Sequence, residues 1–173
     1  MVKSKSYSSS KGKRAERKVR DELKRIYPPE RRSVINRVPM SGASPVMKGD
    51  VIDMNDTNYA YEVKCQEKLC LPEWWRQTVS QAMSFQIPVL VFTSSYRPLY
   101  WVVRESDWMA MVDGTIYSGV SSVTDATTRG LYDKLSLADN YQALRLSLGD
   151  DSVCVVSTDH FIEVRKDLYN GER

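Results

Sequence analysis

The chain has 173 residues, 42% of them hydrophobic and 10% aromatic, and its 25 Lys+Arg against 22 Asp+Glu leave a net charge of +3. That length fits one domain with a real core, and the longest apolar runs, such as Pro88 to Phe92, are far too short to span a membrane. The Lys/Ser-rich start has no apolar run behind it and does not read as a secretory signal. Cys65, Cys70 and Cys154 are an odd set with no C-x-x-C pair, which points to reduced thiols in an intracellular, cytoplasmic setting.

The charge is lopsided. Residues 1–70 carry 16 basic and 9 acidic side chains, residues 71–173 carry 9 and 13, and residues 1–40 alone carry 13 and 4. A basic half on a near-neutral chain indicates a polyanion partner, because Lys and Arg near phosphates release condensed counterions.

In chain order, residues 1–10 (MVKSKSYSSS) are expected to form a flexible basic arm. A helix should start near Ser9-Ser10 and run to Ile26-Tyr27, where Pro28-Pro29 stops it; Ala15, Val19, Leu23 and Ile26 make its apolar stripe. Glu16 stands at the edge of that stripe among cations, and from the helix alone it reads as a surface acid pairing with Arg20. Ser33 to Val38 alternates as a strand, and Pro39 to Met47 is a loop broken by Pro, Gly and Ser.

Lys48 to Lys64 (KGDVIDMNDTNYAYEVK) reads as two strands around the polar turn Asn55 to Asn58. Pairing Asp50 with Glu62 and Ile52 with Ala60 puts Asp50, Glu62 and Lys64 on one face and Asp53 on the other. A slip of one residue would exchange Asp50 for Asp53. Two carboxylates beside a lysine suit a divalent metal and phosphodiester hydrolysis. Mg²⁺ prefers oxygen ligands, which Asp50, Glu62 and the Val63 carbonyl offer, while Lys64 can orient a water and stabilise charge on the phosphorane.

After a connection at Cys65 to Leu71, Pro72 opens a helix through about Ser84 whose buried face is expected to hold Trp75, Val79, Ala82 and Met83. Gln77 and Gln81 on that helix are as well suited to the site edge as to solvent. Pro88 to Thr93 is a central strand and Leu99 to Arg104 its neighbour. The order α-β-β-β-α-β-β implies an α/β fold, a central mixed β-sheet flanked by helices. The organisation expected is an arm (1–10), a core (11–104) and a C-terminal extension packed on it (105–173). In that extension Trp108 to Val112 is a helical turn, Gly114 to Arg129 a loop, Leu131 to Leu148 helical, Val153 to Val156 a strand, and Thr158 or Asp159 caps a last helix to Tyr169. His160, the one histidine, reads as structural or surface, and neither a catalytic triad nor a phosphate-binding Gly-rich loop is present.

Glu16 in a basic helix, RVPMSG (Arg37 to Gly42), GDV (Gly49 to Val51) and EVK (Glu62 to Lys64), in that order over about residues 9–104, resemble the archaeal-type Holliday-junction resolvases. These belong to the PD-(D/E)xK nuclease superfamily and have phage and viral homologues. The resemblance implies a restriction-endonuclease-like core, with Glu16, Asp50 and Glu62 as metal-binding carboxylates. It makes Lys64 the catalytic lysine and places Ser41 near the scissile phosphate. It also implies Mg²⁺ or Mn²⁺, a homodimer, and paired nicks across a four-way DNA junction. Gly49 departs from the superfamily, which often has Pro there. Lys11, Lys13, Arg14, Arg17 and Arg37 are the candidate phosphate contacts, with Lys3 and Lys5 as an extension. A repair or restriction-type nuclease on linear or branched duplex, and a non-catalytic DNA-binding protein of the same fold, are the competing expectations.

Overall fold

In the computed structural model, which describes residues 5–38 and 49–171, the stripe Ala15, Val19, Leu23 and Ile26 is buried. It seats helix α1 (Lys5–Leu23) and the 3-10 turn after it (Lys24–Ile26) against a sheet. Burying each such Val or Leu contributes about 1.5–3 kcal/mol. The helix begins at Lys5, ahead of the expected start near Ser9-Ser10. Once the stripe is docked, no Pro or Gly between Lys5 and Lys11 stops the helix from extending toward the N-terminus.

Pro28 takes extended backbone, and a second 3-10 turn (Pro29–Val34) consumes the start of the expected strand. Strand β1 is therefore only Ile35–Arg37. Then follow β2 (Val51–Asp53), β3 (Tyr59–Cys65), α2 (Leu71–Gln81), β4 (Ile87–Thr93) and β5 (Tyr100–Arg104), in the expected order. Helix α2 starts one residue before Pro72 and buries Leu71, Trp74, Trp75 and Thr78. Its buried face thus lies toward its first turns, and Met83, expected in the core, is exposed beyond its end.

The chain after Arg104 continues the same sheet. It forms α3 (Glu105–Asp113), β6 (Ser122–Asp125), α4 (Leu131–Leu137), β7 (Gln142–Leu148), β8 (Asp151–Ser157) and α5 (Thr158–Gly171). Two expectations fail here: the Gly114–Arg129 loop contains β6, and Leu131–Leu148 divides into a short helix and a strand. Leu144, Leu146 and Leu148 are buried while Ser147 is exposed, a period of two that belongs to a strand. Gly149, at φ +66, turns β7 into β8.

The eight strands lie in the order β1-β2-β3-β4-β5-β8-β7-β6. β3 and β4 are parallel, as are β6 and β7, and the other pairs are antiparallel. Val89 and Val91 of β4 face the cluster formed with α1, α3 and α5, while Leu90 and Phe92 face α2 and α4. β4 is thus covered on both sides, as its unbroken apolar run requires. Among the described residues, no helix is long and apolar enough to cross a membrane.

Candidate active site

Val51 lies opposite Tyr61, the pair between the expected Asp50–Glu62 and Ile52–Ala60 partners, so the hairpin has the expected register. Gly49 sets the approach to it. Its φ is +94, and a Cβ there would stand 2.8 Å from the Tyr61 carbonyl oxygen. Neither a side chain nor the fixed φ of proline fits this backbone, which explains the departure from the superfamily pattern.

Asp50 is held by its backbone on both sides: its N–H donates to the Tyr61 carbonyl at 2.8 Å, and its carbonyl accepts the Val38 N–H at 3.0 Å. Its carboxylate accepts the Val63 N–H at 2.8 Å. Val63 therefore meets Asp50 through its amide, whereas the sequence suggested its carbonyl as a ligand.

Glu62 is 6% exposed. Lys64 Nζ donates to Glu62 Oε1 at 2.7 Å and to Gln77 Oε1 at 2.9 Å, and Gln77 Nε2 donates to the same Glu62 oxygen at 3.1 Å. Glu62, Lys64 and Gln77 thus close a triangle on the sheet face covered by α2. Burial pushes the Glu62 carboxyl above its usual range, the charge of Asp50 adds to this, Lys64 opposes it, and Glu16 raises it slightly further.

Glu16 comes from α1 and forms a two-point ion pair with Arg37 of β1, whose Nε donates to it at 2.6 Å. The expected pairing with Arg20 does not form, because Arg20 turns to Asp21. The rival acid Asp53 is 1% exposed and points to the other side, where it accepts the Tyr27 hydroxyl at 2.6 Å and the Asn55 N–H at 2.9 Å. It serves the core.

Of the candidate phosphate contacts, Lys13, Arg14 and Arg17 are exposed along α1. Lys11 reaches Ser95 Oγ at 2.6 Å and Glu67 at 3.3 Å, and Arg37 is held by Glu16. Ser41, with Pro39 to Met47 of its loop, and Lys3 lie outside the described residues. The sequence left the parts of Gln77 and Gln81 undecided, and of the two it is Gln77 that meets Lys64 and Glu62. Its signal was its place on α2, between the buried Trp74 and Thr78 at the edge of the packed face.

A family model described as phage putative PDDEXK endonuclease matches residues 7–136. The chain belongs to this family. This places it with the nucleases of the PD-(D/E)xK superfamily, which implies DNA as substrate; nucleases of that superfamily generally use divalent metals. Its helix-flanked mixed sheet is compatible with a restriction-endonuclease-like core. The match extends past Arg104 through β6 and into α4, beyond the stretch that carries the resolvase-like motifs. No curated protein and no solved structure gives a significant match.

The donor set fits such a metal. Glu62 is a buried carboxylate whose neighbours include the charges of Asp50 and Glu16, with Lys64 opposing them. Among the described residues, no three His, Cys, Asp or Glu side chains are grouped closely enough to form a ready shell. Glu16 is drawn to Arg37 and Glu62 to Lys64 instead. Mg²⁺ asks for only one or two carboxylates and keeps several waters, so this arrangement suits it.

Proposed function

We propose that this endonuclease is a metal-dependent, structure-selective DNA endonuclease that resolves four-way junctions by paired nicks, acting as a homodimer in the cytoplasm. The observation that carries the chemistry is the Glu62–Lys64–Gln77 triangle beside Asp50. The junction preference and the dimer rest on the motif order Glu16, RVPMSG, GDV, EVK.

In this reading Asp50, Glu62 and the Val63 carbonyl hold Mg²⁺, or Mn²⁺ in its place, with Glu16 completing the shell and Ser41 meeting the scissile phosphate. A divalent ion there acidifies water and neutralises charge on the phosphoryl oxygen. Lys64 has three N–H donors, two of them engaged with Glu62 and Gln77. The third orients the attacking water and then faces the charge that grows on the phosphate. The Val63 N–H fixes one Asp50 oxygen and so holds the carboxylate in place beside Glu62. Lys13, Arg14 and Arg17 bind phosphates along α1, joined by Lys11 and Arg37 once DNA competes for their present partners.

The test compares a four-way junction with linear duplex of the same sequence, in Mg²⁺, with wild type and Asp50→Ala. Wild type should nick the junction in pairs, and Asp50→Ala should bind it but not cut. Equal cutting of both substrates would remove the junction preference and leave a duplex nuclease. Binding without cutting by wild type would leave a DNA-binding protein.

A further inference from the structure

Lys64 lies one residue before the end of β3, and Cys65, the last, is opposite Thr93, the last residue of β4. The turn that springs from β4 at this end is tied down on several sides. Arg97 donates its N–H to the Ser94 carbonyl at 3.2 Å, and Thr93 Oγ1 donates to the Arg97 carbonyl at 2.9 Å. Ser95 donates its N–H to Glu67 at 3.2 Å, and Lys11 of α1 reaches the Ser95 hydroxyl. The Arg97 guanidinium lies over the Tyr132 ring, 4.5 Å from its centroid.

At the tip stands Tyr96, fully exposed at 106% of its reference area, with φ +65. Among the described residues it is the one non-glycine with positive φ. Left-handed backbone is disfavoured for a bulky side chain and persists where the surroundings enforce it. Here the ties at Thr93, Ser95 and Arg97 enforce it, and the result is an aromatic ring presented to solvent on the turn that leaves β4 at the Lys64 end of β3 and is tied at Ser95 to Lys11 of α1.

We propose that Tyr96 stacks on an unstacked base of the DNA substrate. The proposal rests on the nuclease reading of this end of the sheet and adds to it the feature of DNA that is recognised. Cations on α1 meet phosphates, which intact duplex also presents. An exposed ring adds discrimination, because intact duplex hides its base faces, whereas a branch point or a gap offers them. Stacking also tolerates any sequence, since every base has a π-face.

Binding is measured in EDTA, so that no cleavage is read, on a four-way junction, a gapped duplex and an intact duplex. Tyr96→Ala and Tyr96→Asn should lose about tenfold on the junction and the gapped duplex, in line with one lost stacking contact, while Tyr96→Phe stays within about twofold of wild type. The loss should be confined to those two substrates. The salt slope should not change, whereas Arg14→Ala should lower it by about one. Asn suits left-handed backbone, so Tyr96→Asn should melt no lower than wild type, which separates the ring from the fold. Equal loss on all three DNAs, or no loss on any, would overturn the proposal. So would a loss accompanied by a fall in sedimentation mass, since the ring would then hold a second copy of the chain. Failure of cutting in the Mg²⁺ assay would leave this binding measurement untouched.

Discussion

Gln77 shows how one neutral side chain sets the state of two charged ones. Its amide donates to Glu62 through Nε2 and accepts from Lys64 through Oε1, so it holds both in a single orientation. Without it, Lys64 would keep one partner and Glu62 would lose a donor at a buried oxygen. Gln77→Ala should lower kcat about 10- to 100-fold, the range for residues that orient a metal site's ligands, with DNA affinity little changed. Steady-state cleavage alongside metal-free binding measures this. Gln77→Glu should not restore activity, because a carboxylate cannot donate to Glu62 and adds charge to an acidic site. Wild-type kcat in either variant would remove Gln77 from the site.

At the scale of elements, the hairpin that carries Asp50 and Glu62 is pinned from below by the last helix. Arg165 of α5 is 3% exposed, pairs with Asp56 in the hairpin turn at 2.9 Å, and lies 3.8 Å over the Tyr59 ring. Its removal leaves Asp56 without that partner and Tyr59 without its cation. Arg165→Met should cost about 3 kcal/mol in denaturant unfolding, and Arg165→Lys should recover only part of it, since ammonium lacks the planar face. The other end of contact between α5 and its neighbours is sensitive to pH. His160 packs edge-on to Trp108 with centroids 4.8 Å apart, and burial lowers its pKa from 6.5 to about 4. The unfolded chain therefore binds a proton that the fold excludes between those values. Stability from this site should be complete above pH 6.5 and be lost as pH falls toward 4. His160→Gln should flatten that dependence in melts taken across the window.

For the whole molecule, the sheet has no boundary at Arg104. β5 pairs along its full length with β8, from Tyr100–Ser157 to Arg104–Val153, and Trp101 stacks on Phe161 of α5 with centroids 4.4 Å apart. A fragment ending at Arg104 would open a long apolar edge and uncover Trp101 and Val103, which are fully buried in the complete chain. Such a fragment, residues 11–104, should fail to fold cooperatively and should aggregate. A sharp thermal transition with dispersed amide resonances from it would refute this. Residues 105–173 are thus structural partners of the motif-bearing strands, and they supply three of the sheet's eight strands, β6, β7 and β8.

Much of this was local and therefore legible. The α1 stripe, the apolar run of β4 and the turn chemistry at Asn55 to Asn58 each depend on a few neighbouring residues, and the order of elements to Arg104 follows from them. The hairpin register was favoured by the sequence but left open to a one-residue slip toward Asp53, and the observed pair Val51–Tyr61 decides it. Beyond Arg104, a period of two in Leu144, Leu146 and Leu148 was overridden by a patchy helical pattern, and the long-range pairing with β8 decides for the strand. The partners of charged side chains could not be read, because Glu16 meets Arg37 and Arg165 meets Asp56 across many residues of chain. Sequence determined which residues could do chemistry, through type and spacing. Tertiary structure decided which of them share a face, because burial and hydrogen bonding act on neighbours in space.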